Sequence, residues 1–188
     1  MRQSDPDMAG LPVVETPWAR LAELDLGDGH RPIRLIDLVA QAPEVALNIE
    51  IKNSPVDPDF DPELVIVDQV AALCRPNDVV SSFHWPSVDR MRSLRPDLAT
   101  GLLFEATIPA RDAIEHARGV GHRAIVPHWP LVSQEVIATA RSRGLEVVTW
   151  TVDDPATAGR LAAWGVDAII TNDPGTLVAG LDPSEQTS

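Results

Sequence analysis

Residues 47–53 read Leu-Asn-Ile-Glu-Ile-Lys-Asn. Alternate side chains of a β-strand share a face, so Asn48, Glu50 and Lys52 fall on one side and Leu47, Ile49 and Ile51 on the other. A carboxylate and an ammonium two residues apart on one face can hold a cation, neutralise a phosphate or pass a proton. Lys52 is the only lysine of the chain, against fourteen arginines. An ammonium is a compact point charge and a guanidinium a planar fork, so the two do not exchange freely at a shaped anion site. The same residues also fit an exposed edge strand with an i,i+2 salt bridge worth ~0–1 kcal/mol. Parallel strands are usually covered on both faces, and a covered ion pair is costly without further partners. In a parallel sheet the functional reading of Glu50 and Lys52 leads.

Other groups are weighed against this pair. His84 follows Ser81-Ser82-Phe83 at a strand end, and His128 sits in a similar place in Val-Pro-His-Trp-Pro. Both are substrate-lining candidates, and both also fit loop histidines packed on the tryptophan that follows. Trp150 is either a core residue of its strand or a wall of the site. His30, His116 and His122 read as loop or helix-surface residues. Ser81 and Ser82 lack histidine and acid partners at a recognisable spacing for a serine nucleophile. Asp153, Asp154 and Asp173 read as turn and cap residues.

These side chains need elements to position them. β-rich runs begin near residues 45, 78, 99, 123, 145 and 167, with helical segments between. Asp61-Pro62 and Asp154-Pro155 read as N-cap and first-turn pairs, Ser133 as a further N-cap, and Gly144 and Gly165 as stops. Thr16-Pro17 opens Trp-Ala-Arg-Leu-Ala-Glu-Leu-Asp-Leu, and Ile-Arg-Leu-Ile-Asp-Leu-Val-Ala leads into the first strand. Six βα repeats predict parallel strands with right-handed crossovers. Their regularity favours a TIM (β/α) barrel over an open doubly wound sheet. No Gly-x-Gly-x-x-Gly loop follows a strand, which removes the main signature of dinucleotide binding. The expected layout is a tail at 1–11, one domain at 12–180 and a tail at 181–188.

The motifs resemble those of the glycerophosphodiester phosphodiesterase family. Leu-Asn-Ile-Glu-Ile-Lys is similar to that family's Glu-x-Lys strand, and residues 79–104 resemble its Ser-Phe strand and the next one. Residues 143–175, with Val-Thr-Trp-Thr-Val-Asp-Asp and Gly-Val-Asp-Ala-Ile-Ile-Thr-Asn-Asp-Pro, resemble its closing segment. Residues 12–178 carry the resemblance. It implies a TIM barrel that hydrolyses glycerophosphodiesters to glycerol phosphate and an alcohol with a divalent cation, Mg²⁺ or Ca²⁺. Glu50 matches a metal carboxylate, Lys52 the phosphate-binding lysine, and Trp150 a tryptophan near the mouth. Both Glu50 and Lys52 then count as catalytic residues, with His84 and His128 as secondary substrate contacts. The family's His-Arg-Gly strand, Glu-x-Asp strand and His-Asp pair have no counterpart here. The expected fold is thus a barrel lacking its first two strands, in six parallel βα units, with the cation bound weakly and the isolated chain weak or inactive.

Two alternatives stand beside a working phosphodiesterase: a non-catalytic remnant that binds a phosphorylated ligand or a partner, and an unrelated TIM-barrel isomerase using Glu50 and Lys52. A net charge of −13 argues against non-specific nucleic-acid binding and against anionic membranes. Cys74 is the one cysteine and cannot form an internal disulfide. No apolar run approaches the ~20 residues that span a bilayer, and residues 1–10 lack a signal peptide's apolar stretch. The cytoplasm is the expected location. A homodimer across the open barrel edge is the expected assembly.

Overall fold

Six short strands pair side by side in chain order. They are β1 (Asn48–Glu50), β2 (Val79–Ser82), β3 (Ala99–Phe104), β4 (Ala124–Pro127), β5 (Glu146–Thr149) and β6 (Ala168–Ile169), in one parallel sheet of order β1-β2-β3-β4-β5-β6. This is seen in a computed structural model that describes residues 13–181. The expected tails lie outside those residues, except for Leu181, which ends the last helix. Register links Glu50 to Ser81, Ser81 to Gly101, Gly101 to Ala124 and Ala124 to Glu146, a single row across the sheet. Among the described residues no pairing returns from β6 to β1, so the βα units form a half-barrel.

Among the described residues eight α-helices accompany the strands: α1 (Trp18–Leu21), α2 (Leu35–Gln41), α3 (Val65–Leu73), α4 (Trp85–Leu94), α5 (Ala110–Val120), α6 (Gln134–Ser142), α7 (Pro155–Trp164) and α8 (Pro174–Leu181). Ser133 caps α6 by accepting the Val136 N–H at 3.2 Å, and Asp154 caps α7 by accepting the Thr157 N–H at 2.8 Å. Such caps contribute about 1 kcal/mol each. Gly165 ends α7 in the left-handed region at φ 97°, where glycine carries no Cβ penalty.

Three boundaries differ from expectation. The helix expected from Asp61-Pro62 begins at Val65, after Leu64 in a left-handed conformation. Asp61 caps from further back, accepting the Glu63 and Ile66 N–H groups at 3.2 and 2.9 Å. The segment starting at Trp18 is a single turn that ends at Leu21, and the chain later turns through Gly27, Asp28 and Gly29, all at positive φ. The first strand spans only 48–50, starting later than the expected beginning near residue 45. At its start the Leu47 N–H is taken by the Asp78 carboxylate at 2.9 Å, and past its end the Asn53 side chain turns the chain towards Asp61.

The helix-facing side of the sheet is mostly apolar, with Ser82, Thr100 and Thr149 as buried polar residues. Ile49 and Ile51 pack with Val67, Val70, Val80 and Met91 beneath α3 and α4. Leu102, Phe104, Ile125 and Val147 pack with Ile114, Ile137 and Leu161 beneath the later helices. The aliphatic half of the first strand thus meets helices, as its alternation predicts. On the opposite, inward side, Leu103, Ala124 and Val126 form a separate cluster with Val148, Trp150 and Ile170. Gly101 belongs to this inner side, and a Cβ there would lie 2.8 Å from a Val126 methyl. No described helix is long and apolar enough to cross a membrane.

Candidate functional site

The inward side of β1 is polar, as expected, and it opens into a cleft. Asn48, Glu50 and Lys52 are all exposed, and no ion pair joins Glu50 or Lys52 to any described residue. The i,i+2 salt bridge of an ordinary edge strand is therefore absent among the described residues. Glu50 is the last residue of β1, and Lys52 stands on the segment leaving it, at the C-terminal end of the strand, where barrel enzymes place their chemistry. The cleft has a volume of about 420 Å³ and is lined by Glu50, Lys52, Asn53, Phe83, His84 and Glu105, together with the loop at 54–57. That volume lies within the usual range of small-molecule sites.

Asn53 organises the floor of the cleft. Its buried amide donates to the Asp61 carbonyl at 2.9 Å and to the Ser87 hydroxyl at 3.2 Å, and its oxygen accepts the Asp61 N–H at 2.8 Å. The His84 Nδ1 lies 2.9 Å from the Ser87 hydroxyl and 3.5 Å from the Asn53 amide nitrogen. Because both neighbours can donate to it, Nδ1 is the acceptor and Nε2 carries the ring proton. Burial holds the His84 imidazole below its ordinary value of 6.5, so the neutral ring is favoured. Phe60 meets the same ring edge to face at 5.5 Å. Ser82 is structural, since its hydroxyl donates to the Ile51 carbonyl at 2.7 Å and accepts the His84 N–H at 3.0 Å.

Trp150 and His128 stand apart from this group. A β-bridge pairs them just beyond β4 and β5, their rings lie 4.8 Å apart, and neither lines the cleft. The Trp150 indole N–H donates to the Val126 carbonyl at 2.9 Å, so the ring offers a ligand only its carbon surface. Its edge-to-face contact with Phe83, at 5.1 Å, links it to the cleft wall across two strands.

Asn53, Asp57 and Glu105 carry polar groups to the cleft but were assigned no role from sequence. Glu105 had a readable signal, as the first residue after β3 at its C-terminal end. Asn53 did not, because its partners Asp61 and Ser87 are distant in the chain. The surface placement expected of His122 is wrong: it is 4% exposed. Gly121, at φ 90°, ends α5 and turns His122 inward, with its N–H on the Ala117 carbonyl at 2.8 Å. Burial, the first cause, keeps its imidazole below 6.5 against the opposing pull of Asp89. His116 is only part-exposed, with its Nε2 3.0 Å from Asp89. Asp153 and Asp173 are turn and cap residues as expected: Asp153 accepts from Thr171 and Asn172, and Asp173 caps α8 through the Thr176 N–H.

A hard divalent cation needs several oxygen ligands converging on one point. Glu50, Asp57 and Glu105 all line the cleft, but they do not bring three ligand atoms within 4.8 Å of one another. The described cleft residues alone do not make a divalent-cation site.

Comparison with known proteins gives a consistent answer. The family model for the glycerophosphoryl diester phosphodiesterase family matches residues 3–176. A Bacillus subtilis glycerophosphodiester phosphodiesterase is 31% identical over 138 residues, which are 67% of this chain and 45% of that protein. One from Caldanaerobacter subterraneus is 28% identical over 100 residues, 53% of this chain and 40% of that one. The chain spans about half the length of the curated relatives it matches. An Oleispira antarctica phosphodiesterase, solved in complex with the product sn-glycerol-3-phosphate, superposes with a TM-score of 0.74 at 21% identity, over 90% of this chain and 72% of that one. A match of this extent places the chain in the glycerophosphoryl diester phosphodiesterase family.

Proposed function

We propose that the cleft at the end of β1 binds the phosphate of a glycerophosphodiester or of glycerol phosphate, with Lys52 as the phosphate contact. The observation that carries this reading is Lys52 itself: the sole lysine of the chain, exposed at the cleft and without an ion-pair partner among the described residues. An unpaired cation in a chain of net charge −13 is the local counter to an otherwise anionic surface. Glu50 supplies a carboxylate next to that phosphate, and His84, also lining the cleft, presents an imidazole whose neutral form burial favours. Trp150, through Phe83, backs the side where a glycerol backbone would rest. The product complex of the Oleispira antarctica relative supports a phosphorylated glycerol as the ligand class.

In a complete barrel of this family the reaction is hydrolysis of one phosphate ester bond, giving glycerol phosphate and an alcohol. Glu50 and Lys52 are the catalytic residues this chain brings to it. Binding without turnover is favoured for the chain alone, because its cleft carboxylates do not converge as metal ligands. His84 also makes no contact with a carboxylate that would tune it as a general base. Family membership removes the ground for an unrelated isomerase.

Calorimetric titration with sn-glycerol-3-phosphate tests the proposal. A hydrogen bond to a charged group contributes ~1.5–3 kcal/mol, so Lys52→Ala is expected to weaken binding by about 10- to 100-fold. Lys52→Arg should recover only part of it. Equal binding by wild type and Lys52→Ala would overturn the assignment. Chelator-sensitive hydrolysis of glycerophosphocholine by the 188-residue chain would overturn the binding-only reading while leaving Lys52 in place.

A further inference from the structure

We infer that Asp89, His116 and His122 form a zinc-binding site on the helix-facing side of the sheet, separate from the cleft. Asp89 comes from the middle of α4, His116 from α5, and His122 from the turn between α5 and β4. The His122 Nε2 lies 2.8 Å from one Asp89 oxygen, and the His116 Nε2 lies 3.0 Å from each of the two. One ligand atom from each residue falls within 4.8 Å of the others, the only such group of three among the described residues. Around a zinc ion with ligands at ~2.0–2.1 Å, tetrahedral neighbours sit about 3.3 Å apart, a few tenths of an ångström from the two nitrogen–carboxylate separations. None of the three lines the cleft.

The surroundings fit a ligand set rather than a chance cluster. The His122 Nδ1 lies 2.8 Å from the Thr100 hydroxyl, a buried group on the helix-facing side of β3. That contact fixes the ring and leaves Nε2 aimed at Asp89, the outer-shell support seen around ligating imidazoles. Trp85 packs on the His116 ring at 4.8 Å, and the two imidazoles lie within 14° of parallel. Two imidazoles and one carboxylate suit zinc and not Mg²⁺ or Ca²⁺, which prefer oxygen throughout. Asp89 and His116 side chains are each 32% exposed, so an ion has an entry path and a water can fill the fourth position. Without metal, each Nε2 carries a proton to satisfy the carboxylate; a bound ion takes Nε2, the ring proton moves to Nδ1, and in His122 the Thr100 hydroxyl accepts it. The bound ion would clamp α4 to α5 and to the start of β4.

The test is zinc titration of the metal-stripped full chain against a chromophoric chelator, with melting followed in parallel. One equivalent of zinc per chain and a raised Tm are expected, with no comparable rise from Mg²⁺ or Ca²⁺. Co²⁺ should give the visible bands of a four-coordinate site. His116→Ala and Asp89→Asn, both at part-exposed positions, should each weaken zinc by more than about tenfold, and Thr100→Val by about 10- to 100-fold. Lys52→Ala should leave zinc binding unchanged, which separates this site from the cleft. No saturable zinc binding would overturn the inference. So would zinc binding indifferent to His116→Ala and Asp89→Asn, leaving the three as a hydrogen-bonded latch.

Discussion

At the scale of single residues, the cleft combines one cation that is free to bind with one imidazole that is not free to charge. Lys52 has no described partner to give up, so a phosphate gains its full attraction without breaking an existing pair. His84 is tied through Nδ1 to Ser87 and Asn53, and protonating it costs the Ser87 hydrogen bond as well as solvation. Its folded value is lowered from 6.5 by burial, so the unfolded chain takes up that proton first. Stability from this group is present above pH ~6.5 and falls as the pH drops below it. An NMR titration should show the His84 ring protonating below pH 6.5, and Ser87→Ala, which removes the donor to Nδ1, should raise that midpoint. Protonation at or above the ordinary value would show that Nδ1 is not the acceptor in this network.

At the scale of elements, the strand bearing Glu50 is three residues long and needs anchoring from outside its own ladder. Arg75 and Asp78, just ahead of β2, supply it. The Arg75 guanidinium donates to the Ala42, Pro43 and Val45 carbonyls at 2.7, 3.1 and 2.6 Å. Asp78 pairs with Arg75 at 2.8 Å and accepts the Leu47 N–H at 2.9 Å. The pairing with Arg75, the largest cause, and the backbone donors hold the buried Asp78 carboxyl down to about 2, from an ordinary 3.8. A lowered acid stabilises the fold above its unfolded value and loses that stability as the pH falls through its folded one. About 2 kcal/mol should therefore disappear between pH ~4 and pH ~2. Arg75→Ala, which strands a buried carboxylate, should cost about 3 kcal/mol in denaturant unfolding. It should also flatten this acid dependence. An unchanged acid profile would show that the pair does not anchor β1. Much of this layer was legible in sequence: strand starts, the Ser133 and Asp154 caps and the Gly165 stop are all local signals. The α3 start was not, because Asp61 caps across an intervening left-handed Leu64. Nor was the burial of His122, whose partners Asp89 and Thr100 lie 33 and 22 residues away in sequence.

At the scale of the whole molecule, the open arc does not leave its inner floor bare. Phe83 and Trp150 touch across two intervening strands, and Leu103, Ala124 and Val126 are buried on the inner side of the sheet. Part of the exposed apolar surface lies around the β1 end, with Ile33, Ile36 and Val45 before the strand and Val65 and Ile66 after it, while Phe83, Leu94, Val120 and Val178 are exposed elsewhere. The edge of β1 stands there too, with unpaired backbone groups beside the charged Glu50. A charge on an edge discourages further strand addition, so association through the helices around it is favoured over a continuous sheet. Exposed apolar groups gathered in one region mark a contact surface. The purified chain is expected to self-associate with concentration in sedimentation velocity and to bind an apolar-surface dye. The paired substitution Ile36→Ser and Val65→Ser, both at exposed positions, should reduce association and dye binding without lowering Tm appreciably. Loss of glycerol phosphate binding in the same variant would place the contact over the cleft, whereas retained binding would place it on the outer side of α2 and α3. A chain that stays monomeric at high concentration and binds no dye would show that this surface is tolerated bare.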